Sequence, residues 1–99
     1  MLRAYETMYI LRPTIEEDAV DTVVTKFSDH IAQNGGKVEK IEKRGRKRLA
    51  YEVKDFRDGY YVLMNFEAAP GSLTELERAF KLNDDVIRHI VVRQPGANG

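Results

Sequence analysis

The sequence contains no cysteine, which excludes disulfides, thiolate nucleophiles and cysteine-ligated metals together. No apolar run approaches the roughly eighteen residues that a membrane span needs. The opening Met1-Leu2-Arg3-Ala4-Tyr5 lacks a basic stretch leading into an apolar region, so no export signal is expected, and the absence of cysteine is compatible with the cytoplasm. Internal repeats and low-complexity stretches are missing too. A chain of 99 residues has room for one hydrophobic core and not two. One domain is therefore expected over residues 1–93, with 94–99, Gln94-Pro95-Gly96-Ala97-Asn98-Gly99, as a short flexible tail.

What is present is unevenly spread charge. The formal net charge is zero, yet residues 37–57 hold nine Lys or Arg against four acids, and the remainder holds seven against twelve. Such segregation steers a polyanion to one edge of the molecule and away from its other surfaces.

The pattern of apolar residues divides the chain into six elements. Tyr5 to Leu11 has strand character and stops at Arg12-Pro13. Thr14-Ile15-Glu16-Glu17 fits a capping box, with acids Glu16, Glu17, Asp18 and Asp21 at the positive end of a helix. Ile15, Ala19, Val23, Phe27 and Ile31 recur every four residues, Val20 and Val24 widen that stripe, and Asn34-Gly35-Gly36 supplies a stop. A long strand follows from Lys37 to Val53, with Gly45 marking a bulge or bend within it. Asp55 to Gly59 reads as a hairpin turn ending in Asp-Gly, and Tyr60 to Phe66 as the returning strand. Pro70-Gly71 breaks the chain. Ser72-Leu73-Thr74-Glu75 is a second capping box, opening a short helix with Leu73, Leu76, Ala79 and Phe80 on its apolar face. Val86 to Val92 is the last strand. The order β-α-β-β-α-β is the α+β, ferredoxin-like arrangement: a four-stranded antiparallel sheet with both helices on one face, strands one and three at its centre.

A face without helices should be polar, but here it is not wholly so. Strand alternation puts Met8 and Ile10 opposite Tyr9 and Leu11, and Tyr61 and Leu63 opposite Val62 and Met64; Ile90 and Val92 add to the count in strand four. A contiguous apolar patch suggests a docked partner. The same fold carries base-stacking RNA-binding domains, whose third strand bears aromatics at fixed positions. Asp58-Gly59-Tyr60-Tyr61-Val62-Leu63-Met64-Asn65 lacks them at the fifth and eighth positions, so RNA contact is expected through charge instead. The charge is at hand in Lys43-Arg44-Gly45-Arg46-Lys47-Arg48, five cations in six positions. Where pairing is regular, Arg44, Arg46 and Arg48 share a face, and guanidinium groups match phosphate oxygens two-pronged. Edge strands also carry such charge to prevent aggregation. Arg3 and Arg93 end the first and last strands, and only the tertiary structure decides whether they join the cluster.

Catalysis has little footing. The loop after strand one, Arg12-Pro13-Thr14, has no glycine to cradle a phosphate, as an acyl-phosphate hydrolase of this fold would need. The strand-to-helix loops also lack the glycines of metabolite-sensing domains. His30 and His89 have no partner at metal-ligand spacing. They read as a cation at a helix end and a packed residue, and Asp84-Asp85 as a turn cap.

The chain resembles, from end to end, the family of the sixth protein of the bacterial small ribosomal subunit. The residues that carry the likeness are Arg3 to Pro13, Gly36-Lys37-Val38, Gly45 to Tyr51, Asp58-Gly59-Tyr60-Tyr61 and Arg88 to Arg93, in that order and spacing. The resemblance implies a non-enzymatic, cytoplasmic constituent of the 30S subunit that binds 16S ribosomal RNA with the eighteenth small-subunit ribosomal protein during assembly. No cofactor, metal, membrane or small-molecule substrate is implied. On this reading Arg3, Arg44, Arg46, Lys47 and Arg48 are candidate RNA contacts. Met8, Ile10, Tyr61, Leu63, Ile90 and Val92 are candidate contacts to the partner protein.

Overall fold

The structure, a computed structural model, describes residues 1–94. Its elements are β1 (Arg3–Leu11), α1 (Glu17–Gln33), β2 (Lys37–Val53), β3 (Phe56–Ala68), a single 3-10 turn (Pro70–Ser72), α2 (Leu73–Leu82) and β4 (Val86–Arg93). The strands form one antiparallel sheet in the order β2-β3-β1-β4, which is the ferredoxin-like arrangement read from the sequence. Of the expected tail, residues 95–99 lie outside the described part of the chain. Gln94 is still tied to the sheet, its N–H donating to the Ala4 carbonyl at 3.0 Å.

Strand alternation builds the core. Tyr5, Thr7, Tyr9 and Leu11 of β1 and Tyr60, Val62, Met64 and Phe66 of β3 face the helices and are buried. Against them α1 lays Val20, Val23, Phe27 and Ile31, and α2 lays Leu76 and Phe80. Tyr9, Phe27 and Phe80 form the aromatic centre, with ring centroids 4.5 to 5.2 Å apart. Full burial of such side chains contributes about 1.5–3 kcal/mol each. Thr7 is the buried polar exception, and its hydroxyl donates to the Ile90 carbonyl at 2.7 Å.

Local sequence signals succeed at one helix end and fail at the other. The C-terminal stop of α1 forms as read: Gly36 N–H donates to the Ile31 carbonyl at 2.9 Å and Gly35 N–H to Ala32 at 3.1 Å, satisfying carbonyls the helix leaves free. Neither capping box forms. Helix α1 begins later, with Glu16 at its N-cap and no side-chain cap. The Thr14 hydroxyl accepts from Arg12 instead, at 2.8 Å, and Glu17 points at the sheet. Ser72 sits in a 3-10 turn that already has helical backbone, and its hydroxyl donates back to the Ala69 carbonyl at 2.8 Å.

The β2–β3 hairpin also turns earlier than the sequence suggests. Val53 pairs with Phe56, and the two residues between, Lys54 and Asp55, both have positive φ, 51° and 70°. That is the backbone of a tight hairpin turn whose twist matches its strands. Asp58-Gly59 lies inside β3. Gly59 is there because a Cβ would run into the Ile10 side chain and the Leu11 carbonyl.

Candidate functional site

Strand β2 is the basic edge of the sheet, and its pairing decides where each cation points. The register slips between Lys43 and Gly45, where Gly45 takes φ 84°, a conformation that costs other residues about 1–2 kcal/mol. The bulge read from the sequence is therefore real, and it overturns the expectation that three arginines share a face. Before it, Arg44 and Lys40 flank Glu42 on the open face, at 3.3 and 2.7 Å. After it, Arg46 is paired with Tyr60 and turns to the helix side.

There Arg46 is consumed by its own chain. Its Nε donates to the Pro13 carbonyl at 2.9 Å, its Nη2 donates to the Ile15 carbonyl, and Nη1 stands 3.8 Å from Glu17. Its guanidinium carbon lies 5.4 Å from the centroid of the Tyr60 ring. This side chain ties down the β1–α1 loop where the expected cap does not form. The Tyr60 hydroxyl donates to Glu17 at 3.3 Å; burial, then the Glu17 charge, raises its pKa. Lys43 is also engaged, 2.6 Å from Asp21 of α1, and that hydrogen bond raises its pKa. Lys40, and to a lesser degree Arg44, hold the Glu42 carboxyl below its ordinary value.

Lys47 and Arg48 remain. Both are exposed, and among the described residues neither has an ion-pair partner. Arg57, across the hairpin, stands 3.3 Å from Glu52. Arg3 does not join this group. It pairs with Ala68, whereas Leu11 and Tyr60, the partners nearest Arg46, stand at the other end of β1. Nine residues at roughly 3.4 Å each put about 27 Å between those ends. Arg93, paired with Tyr5, belongs at the Arg3 end.

The open face forms rows across the strands, since directly paired residues share a side. One row runs Glu42, Leu63, Met8, Ile90, and the next Lys40, Asn65, Glu6, Val92. Ile90 and Val92 are 58% and 46% exposed, and Met8 and Tyr61 are partly so. Ile10 and Leu63, by contrast, retain 7% exposure each, which corrects their reading as available contacts. Ile10 is sealed by the hairpin, whose Leu49 curls over the sheet to pack with Ile10 and Ile87, bordered by Val53, Phe56 and Tyr61. The apolar strip left to a partner lies along β4 and β1.

Two further side chains lie beside this strip. Tyr51 of β2 and Arg88 of β4 meet across the open face, the guanidinium donating to the Tyr51 hydroxyl at 2.5 Å and standing 5.2 Å from the ring centroid. Tyr51 follows Leu49 by two residues, so strand alternation could have placed them together; its meeting with Arg88 depends on the curl of the hairpin and has no sequence signal. Asp85 pairs with Arg12 at 2.7 Å, while Asn83 caps that turn by accepting from the Asp85 N–H at 2.8 Å. His89 stacks on Phe80 at 5.1 Å, and burial lowers its pKa. Among the described residues no three His, Asp or Glu converge to hold a metal, and no helix is long and apolar enough to cross a membrane.

A ferredoxin-like sheet with an exposed apolar strip and unpaired cations on one hairpin defines a small contact-making domain of the α+β class. Residues 4–93 match the family model described as Ribosomal protein S6. The chain is 47% identical over 94 residues to the small ribosomal subunit protein bS6 of Carboxydothermus hydrogenoformans, covering 95% of this chain and 98% of that one. It is 43% identical over 93 residues to the bS6 protein of Desulforamulus reducens, covering 94% and 98%. The crystal structure of 30S ribosomal protein S6 from Thermotoga maritima superimposes with a TM-score of 0.89 at 30% identity, over 95% of this chain and 89% of that one. The chain belongs to the ribosomal protein S6 family of the bacterial small subunit. It is a structural, non-enzymatic component of the ribosome, in the cytoplasm.

Proposed function

We propose that this chain binds 16S ribosomal RNA jointly with the eighteenth small-subunit ribosomal protein. Phosphates would be met by Lys47 and Arg48 on the hairpin, and the partner protein by Met8, Ile90 and Val92 on the open face, Tyr61 being packed against the hairpin cluster instead. The observation that carries the reading is the pair of exposed cations left without a carboxylate in the run Lys43 to Arg48, whose other cations are engaged by the chain's own groups. Arg44, beside Glu42, contributes by exchanging that carboxylate for a phosphate. Arg46, with its donors turned onto its own chain, stands outside the contact, as does Arg3 at the far end of β1. The apolar strip supports a protein partner because water is removed at a favourable ~25 cal/mol per Å² of apolar surface covered.

The test is binding of a central-domain 16S ribosomal RNA fragment, measured by anisotropy over a salt series with and without the partner protein. Affinity should fall steeply with salt as counterions are released. Removing Lys47 and Arg48 should flatten the logarithmic slope by about 1 per lost phosphate contact. A slope indifferent to both substitutions would place the RNA contact elsewhere. Ile90→Asp should abolish the gain from the partner and leave the salt slope intact.

A further inference from the structure

The curl of the hairpin creates a recess of about 230 Å³ between its end and the open face. Ile10, Leu49 and Val53 give it an apolar floor, and Tyr51, Tyr61 and Arg88 give it planar, polar-edged walls. Tyr51 is 61% exposed, an unusual outlay of aromatic surface for a ring that could have packed. It is held in place all the same, by the hydroxyl contact to Arg88 and the guanidinium over its face. Immediately beside this recess lies a second, of about 180 Å³, which shares Leu49, Ala50 and Tyr51 with the first and is bordered by Arg48, by Arg57 and by Glu52, whose carboxylate stands 3.3 Å from Arg57.

We propose that the recess receives one unpaired nucleobase of the bound RNA, stacked on the Tyr51–Arg88 pair, with the adjoining phosphate held by Arg48 and by Arg57 as it exchanges the Glu52 carboxylate for the phosphate. This deepens the RNA reading given above and rests on it. A flat, π-faced, weakly polar ligand matches apolar floor and planar walls, and a nucleotide joins that group to an anion at the short range over which the two recesses adjoin. Duplex bases are stacked on one another and cannot enter, so the site selects single-stranded or bulged RNA. The base-stacking aromatics of other RNA-binding sheets lie on the central strands; here the aromatic comes from the edge strand, folded over.

The experiment uses the full chain and three probes: a ten-nucleotide mixed-sequence single-stranded RNA, the same strand made abasic, and a ten-base-pair RNA duplex. Stacking of one base contributes about 1–3 kcal/mol, so the base-bearing strand should bind roughly 5- to 150-fold more tightly than the abasic one. Tyr51→Ala should remove that difference, Tyr51→Phe should keep most of it, and Arg48→Ala should weaken all three probes together. The Tyr51 ring resonances should shift with the base-bearing strand alone. Equal affinity for the base-bearing and abasic strands, with steep salt dependence in both, would overturn the recess and leave phosphate binding standing. If no probe binds, with or without the partner protein, both readings fall. A Tyr51→Ala variant that loses the partner protein yet still discriminates base-bearing from abasic RNA would assign the recess to that protein and overturn the proposal.

Discussion

Tyr9 carries a hydroxyl into the core where, among the described residues, nothing accepts or donates to it, and burial pushes its pKa well up. An unpaired buried hydroxyl costs about 1–3 kcal/mol, against a ring that packs on Phe27 and Phe80. Tyr9→Phe keeps the packing and removes the cost, so its urea unfolding midpoint should match or exceed that of the parent. A loss above 1 kcal/mol would show that the hydroxyl has a partner. His89 makes the complementary case. Burial on Phe80 lowers its folded pKa, so the unfolded chain binds the proton more readily. Its stabilising contribution is full above about 6.5 and is lost as pH falls through the folded value. Between pH 7 and 5, unfolding free energy should decline less steeply in His89→Gln than in the parent; parallel curves would rule His89 out as the titrating group.

At the scale of elements, the hairpin concentrates what is unusual. Its turn places Lys54 and Asp55, two residues with a Cβ, at positive φ, where Asn-Gly is the favoured pair. Replacing Lys54-Asp55 by Asn-Gly should raise the thermal midpoint, by about 1 kcal/mol of stability. An unchanged or lower midpoint would mean those side chains stabilise the turn by other contacts. Farther along, the bulge at Gly45 separates cations that a regular strand would align, sending Arg44 to the open face and Arg46 to the helices. Bulges re-aim side chains, and this one divides one basic run into two roles. Gly45→Ala should therefore destabilise, by about 1 kcal/mol, and should move the salt dependence of RNA binding as well, since the cations beyond it shift.

For the whole molecule, that division yields a double dissociation. Arg46→Ala should cost about 1 kcal/mol of stability, given a partly exposed clamp, and leave the salt slope of RNA binding unaltered. Lys47→Ala with Arg48→Ala should do the reverse, sparing stability because both residues are exposed and surface changes usually fall within about 0.5 kcal/mol. Paired unfolding and binding curves on the two variants decide the matter. If Arg46→Ala flattens the slope, its bonds to Pro13, Ile15 and Glu17 are exchanged for phosphate on binding. The same strand order sets Ile90 and Val92 of β4 and the cations of β2 at opposite edges of one sheet.

Sequence by itself determined the order of elements, the helix-facing core and the stop of α1, because these follow from strand and helix periods and from Asn34-Gly35-Gly36. It also located the basic run and the bulge residue. The tertiary structure decided which cations are free and which apolar residues are covered, since both depend on groups distant in the chain. Arg46 meets Pro13, Ile15 and Glu17, Ile10 is covered by Leu49, and Tyr51 finds Arg88 only after β2 has slipped its register and curled across the sheet. A local pattern specifies a side chain's direction along its own strand; what that side chain then meets is fixed by how the strands pair.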